Sequence, residues 1–218
     1  SEMPVGGVLI LSESDWANTN TLRARVTALT AQVFLSDVVQ VNPGSEAWLI
    51  EGASEYLSLL LTEDSEGEAA FAAALDALVR PALQVTIPGG LSVDSFTNRF
   101  ATQREYEIVT RERGAAVMHE LRLLMGRDAF LNGMRLYVRE NRFAQATYRS
   151  FAAALSEAFG RDVTDALIHH LYYAQESLLT RRRGLRTLRR KYFARHPRAS
   201  TADRRDFFHT RRHSAAVL

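Results

Sequence analysis

Few residues of this sequence have the types and spacing that chemistry demands, and most of those are acidic. Glu51 and Glu55 stand four apart, so a helix would put both carboxylates on one face. Such a pair could hold a cation or do acid/base work, although its ordinary reading is a solvated or salt-bridged face. With Tyr56 these two form the set from which a metal-free reaction would have to draw. His119-Glu120 looks like half of an HExxH zinc motif, in which histidines four apart reach one ion from one helical face. Leu123 occupies the second histidine's place, so a packing role is expected there. His169 and His170 are adjacent and cannot face the same side of a helix. Ser54 has no base beside it in sequence, and no glycine-rich phosphate loop is present. The chain has no cysteine. That removes disulfides, thiolate metal sites and a cysteine nucleophile, and leaves the compartment open with a cytoplasmic setting favoured.

The elements that must position these residues are helices. Leu22, Val26, Leu29 and Val33 recur at helical spacing and predict a helix over 21–36, with Asn20 as its cap. Asn42-Pro43-Gly44 breaks the chain. Ser45 is predicted to open a helix that carries Trp48, Glu51 and Tyr56 to about Leu61. Ser65 and Glu68 have capping-box spacing before an alanine-rich helix that Pro81 ends. Residues 81–103 read as a long loop. Helices are predicted from Arg104 to Met125, stopped by Gly126, and from Asp128 to Glu140. Thr147 would cap one ending at Gly160, and Thr164 one reaching about Thr180. The only strand signal is Gly7–Leu11, so the fold is mainly α with at most one or two short N-terminal strands.

Of the 218 residues, 46% are apolar and 24% charged, the balance of a globular protein with a real core. The opening residues show no signal-peptide pattern, and no apolar run nears the roughly 18 residues of a membrane span, so no membrane partner is expected. The net charge of +2 hides an asymmetry. Residues 1–180 hold 14 arginines against 23 acids, a balance of −9, whereas 181–218 hold 13 basic residues against Asp203 and Asp206, a balance of +11. This divides the chain into a domain over 1–180 and a basic, arginine-rich tail over 181–218, for which disorder or ordering by a partner is expected. Clustered arginine makes nucleic acid a possible partner of the tail, as are an acidic protein surface and the chain's own acidic body.

Several segments, taken in order, resemble the aminopeptidase N-like zinc metallopeptidases, the gluzincins. Trp48-Leu49-Ile50-Glu51-Gly52-Ala53-Ser54-Glu55-Tyr56 is similar to their WLNEGFAxY helix. Arg113-Gly114-Ala115-Ala116-Val117-Met118-His119-Glu120-Leu121 resembles their KGAxVLxxL helix. Gly126-Arg127-Asp128-Ala129-Phe130 resembles a GxxAF turn. Asn141 to Thr147 resembles their H-x-[FY]-x-N-A-T connection, and Phe159 to Val163 the SGRDL that opens their last helix. The resemblance covers about residues 1–180 and implies the helical part of a thermolysin-like peptidase domain.

What it implies for chemistry is mostly loss. The family binds zinc through HExxH-x18-E, with Glu51 in the place of the third ligand. Counting back gives Ala28-Leu29-Thr30-Ala31-Gln32 for the motif, so both histidines and the general base, whose place Leu29 takes, are absent. Pro4 takes the place of the glutamate that binds a substrate's amino group. The transition-state tyrosine would fall on Arg111, or on Thr110 if the loop is one residue longer. Tyr106, about one and a half turns away, is not expected to reach the site. Of these roles only Glu51 survives, as a leftover carboxylate satisfied by a hydrogen bond inside a former cleft, so no cofactor is expected although the family uses zinc.

The expected function is therefore a pseudoenzyme acting as a binding or interaction module, with a peptide or protein partner in the former cleft. The family's N-terminal β-domain has no counterpart here, and a shortened domain should expose apolar surface, so a homo-oligomer or complex is expected. Two alternatives stand beside it. One is a hydrolase subunit completed by another chain or by metal-free chemistry at Glu51, Glu55 or Tyr56. The other is a nucleic-acid-associated protein acting through the tail.

Overall fold

The protein's structure, a computed structural model, describes residues 19–82 and 102–168 together with positions 11, 16 and 171. All of them fall in the first of two units, Ser1–Leu179. Residues 7–10 of the expected strand, Pro4, residues 83–101 of the expected loop over 81–103, His169-His170 and the basic tail lie outside the described residues.

Helix α1 (Thr19–Val38) begins before Asn20, so Asn20 sits inside its first turn and is not its cap. After a two-residue strand β1 (Gln40–Val41) and the turn at Pro43-Gly44, α2 runs over Ala47–Glu66. Its cap position is Glu46, one residue beyond the Ser45 that the sequence suggests. Its buried face carries Trp48, Leu49, Gly52, Ala53, Tyr56, Leu59 and Leu60. Ser65 does not open the next helix. Its hydroxyl donates back to the Leu61 carbonyl (2.8 Å), and α2 continues until Gly67 turns the chain at φ +90°. Helix α3 follows over Glu68–Ala82, with Pro81 in its last turn.

The helix expected from Arg104 to Met125 is present but not uniform. Thr102 and Glu105 form a capping box at the start of α4 (Gln103–Glu107). The chain then widens into a six-residue π-helical segment, Ile108–Arg113, and returns to α geometry as α5 (Gly114–Met125). Helices α6 (Arg127–Glu140) and α7 (Tyr148–Phe159) pack together as a hairpin. Thr147 caps α7 and Gly160 ends it in the left-handed conformation, both as the sequence predicts. Residues 164–168 are helical, but Thr164 is not the cap; the Asp162 carboxylate accepts the Thr164 amide (2.8 Å).

The two observed strands join the ends of these helices. Within the loop before α7, β2 (Gln145–Ala146) pairs in parallel with β1. The Phe143 amide also donates to the Val38 carbonyl (2.7 Å), which ties the α6–α7 hairpin to the end of α1. α2 is the hub: α1, α3, the π segment and α5 all pack against it. Trp48, Val109, Met118, Leu121, Phe151 and Leu155 are the fully buried heart of the core.

Candidate functional site

One seam, where α2 lies against the α4–π–α5 helix, collects the acidic pair and its partners. Gly52 and Gly114 set its depth. A Cβ on Gly52 would meet the Gly114 Cα and carbonyl carbon at 2.5 Å, so the backbones cross with no room for a side chain. One residue before this crossing, α2 presents Glu51 to Tyr106 and Thr110. The Tyr106 hydroxyl lies 3.4 Å from Glu51 Oε1, and Thr110 Oγ1 meets Glu51 Oε2. Tyr106 does reach the site, contrary to the sequence expectation. It lies four residues before Thr110, and its own carbonyl also lies within hydrogen-bond reach of the Thr110 hydroxyl (3.0 Å). The π segment keeps Thr110, Glu112 and Arg113 buried. Widened turns of this kind recur at functional sites.

The hydrogens can be counted. Thr110 has one hydroxyl hydrogen but faces two acceptors, Glu51 Oε2 and the Tyr106 carbonyl. Both contacts are made at once when Glu51 is protonated: the carboxyl donates to Thr110, Thr110 donates to the Tyr106 carbonyl, and the Tyr106 hydroxyl donates to Glu51. Burial pushes the Glu51 carboxyl above the ordinary value of 4.5, against the opposing effects of Thr110, Tyr106 and Arg111. Burial, with the charge of Glu51 added, likewise raises the Tyr106 phenol.

A turn further along α2, Glu55 lies 3.5 Å from Arg111 Nε as an ion pair without a directed hydrogen bond. Arg111 is thus one of the partners that the pattern Glu51–Glu55 calls for. Beside it Glu112, itself buried, accepts from Arg104 (2.7 Å), and burial raises its carboxyl. Tyr56 faces elsewhere. Its hydroxyl lies 3.0 Å from His119 Nδ1 and accepts from Arg122 (3.3 Å), while its ring packs edge-on against Phe130 and Phe71. His119, half of the apparent zinc motif, is thereby a partner of Tyr56. Arg122 also grips Glu63 with two hydrogen bonds (2.8 and 2.7 Å), which fastens the end of α2 to α5.

Residues 28–32 lie on α1, with Ala28 and Leu29 buried in the core. Among the described residues, no group of three histidine, aspartate or glutamate side chains could hold a metal ion.

The sequence model of the peptidase family M1 domain matches residues 30–170. The chain belongs to the M1 peptidase family. Solved structures agree on the fold of this M1 domain. It is similar to an M1 zinc metallopeptidase of Deinococcus radiodurans bound to a Tyr-Ser-Ala substrate, with 21% identity and a TM-score of 0.58 over 78% of this chain and 36% of that one. A further structure of an M1 zinc metallopeptidase from the same organism gives 20% identity and 0.57 over 77% and 35%. A two-domain M1 zinc metallopeptidase bound to L-tryptophan gives 22% and 0.52 over 69% and 32%. The M1 chain described here thus spans about a third of the length of the structures it matches. No curated protein sequence matches it.

Proposed function

We propose that this M1-family chain is a non-catalytic, peptidase-like module, and that a peptide or a partner's chain end is received in the former cleft beside Glu55. The surroundings of Glu51 carry this reading. A zinc ligand must be an unprotonated carboxylate, and a catalytic site supplies three protein ligands. Glu51 instead sits between two hydroxyls in a ring of hydrogen bonds that closes when it is protonated. Its further neighbour is a guanidinium, Arg111, paired with Glu55. This donor set does not fit zinc, and Ala28, Leu29 and Gln32 offer no imidazole or base where the family's motif would fall.

Elemental analysis of the natively purified chain, without chelator, tests the reading. Zinc should be well below one per chain, and aminoacyl substrates should not be hydrolysed. One zinc per chain that survives dialysis would overturn the proposal and bring the hydrolase reading forward. The binding half has its own probe in Tyr-Ser-Ala, the peptide held by the Deinococcus relative. Calorimetry should show it binding intact, and more weakly to Glu55→Ala.

A further inference from the structure

A second buried carboxyl lies at the start of α2, away from the seam. Glu46 is 3% exposed, and its Oε2 makes no hydrogen bond. Two more buried polar atoms stand close by: the Trp48 indole nitrogen, which makes no full hydrogen bond yet lies near enough to Glu46 to hold its carboxyl down, and the Tyr137 hydroxyl, which has no partner. Trp48 and Tyr137 both pack edge-on against Phe151, with ring centroids at 6.2 and 5.1 Å. Three elements therefore enclose Glu46. α2 contributes the Trp48 indole, α6 the Tyr137 phenol, and α7 the Tyr148 amide in its first turn. Among the described residues no cation is ion-paired with Glu46. The groups facing it are a phenol, an indole and one backbone amide, and none offsets a full negative charge.

We propose that Glu46 is an interior proton site that couples the seating of α2 on the α6–α7 hairpin to pH. An ionised carboxylate with an unmatched oxygen in this interior is expensive. The neutral acid instead has an O–H to place and needs no counter-charge. Burial acts in the same sense, holding the carboxyl above its ordinary value of 4.5, while the Tyr148 amide and Trp48 pull the other way. Proton release then unseats the first turn of α2, next to the strand pair that joins α1 to the hairpin.

The sign follows from linkage. The folded pKa exceeds the unfolded one, so Glu46 stabilises fully below 4.5, and this contribution is lost as pH rises through the folded value. Thermal unfolding of the full chain and of Glu46→Gln should coincide near pH 4, and the variant should gain on the wild type as pH rises above 4.5. Identical pH dependence of the two would overturn the proposal. A second measurement does not require that variant to fold. Trp16 is 66% exposed and Trp48 is buried, so in a Trp16→Phe chain the emission of Trp48 reports on Glu46. It should titrate with a midpoint above 4.5. A midpoint at 4.5, or no titration short of unfolding, would reject the site.

Discussion

At the scale of residues, the decisive feature is how Glu51 is satisfied. Its pairing with Thr110 and Tyr106 has the same hydrogen count as a glutamine at this position, whose amide would donate to Thr110 and accept from Tyr106. Glu51→Gln should therefore fold and keep its melting temperature. It should also flatten the part of the stability profile that the wild type loses as pH rises through Glu51's raised pKa. Thr110→Val removes the centre of the ring from a fully buried position. It should cost about 1–3 kcal/mol, seen as a melting temperature lower by several degrees. Unchanged melting of Thr110→Val would mean that the ring contributes nothing. A hydrogen bond at Glu51 was legible in the sequence. Glu51 was expected to be a leftover carboxylate satisfied by a hydrogen bond, and Thr110 was one of two positions singled out for the missing tyrosine. The role of Tyr106 was missed because it was counted from Arg111, five residues on; counted from Thr110, four residues on, it shares one helical face with it, and both meet Glu51. Glu46 gave no signal either. It looks like an ordinary polar residue before a helix, and only three-dimensional packing shows that its surroundings are buried and uncharged.

At the scale of elements, every helix among the described residues has a counterpart in the sequence reading, α1 from its apolar spacing and the others chiefly from caps, glycines and prolines. Caps were read less reliably. Thr147 and Gly160 have their expected roles, but Asn20, Ser45, Ser65 and Thr164 do not. A capping residue is a local signal: α2 runs past Ser65 and absorbs it, and the other three miss the boundary by one or two residues. The π segment was invisible for a related reason: the polar run Thr110 to Arg113 reads as a solvated helical face, yet three of its four residues are buried. The glycines of two separate motifs, Gly52 and Gly114, have one explanation, since each exists to let the other's helix approach. A Cβ on Gly114 would meet Gly52 Cα and the Trp48 carbonyl at 2.9 Å. Both contacts are backbone and cannot swing away. Gly52→Ala should therefore force the helices apart and cost about 1–3 kcal/mol or more. It should also weaken the Glu51–Thr110 contact that the crossing holds in register. Gly67→Ala is the control, because a Cβ there meets nothing and only the positive φ opposes it. Equal losses in the two variants, measured by chemical denaturation, would show that the close crossing is not what matters.

At the scale of the whole molecule, the described surface keeps large apolar side chains in water. Phe34 on α1 is 57% exposed and Phe143 is 65% exposed. The two stand near each other along the chain path, since the Phe143 amide is bonded to Val38, one turn beyond Phe34. Phe143 also holds φ +59°, a left-handed conformation that aromatic residues seldom adopt, and the Arg142 guanidinium lies 5.0 Å from its ring centroid. A strained, exposed ring is not kept for the fold's stability, since it buries little. A surface that other protein covers would explain both the exposure and the strain. The full chain should therefore run larger than its 24.5 kDa in light scattering coupled to gel filtration at tens of micromolar. Replacing both rings, Phe34→Gln with Phe143→Asn, should return it to the monomer mass with no loss of helix content, because asparagine tolerates the left-handed conformation. If the native chain already elutes at 24.5 kDa, self-association fails as the reason for the two exposed rings. If the double variant stays large, the contact lies elsewhere on the molecule.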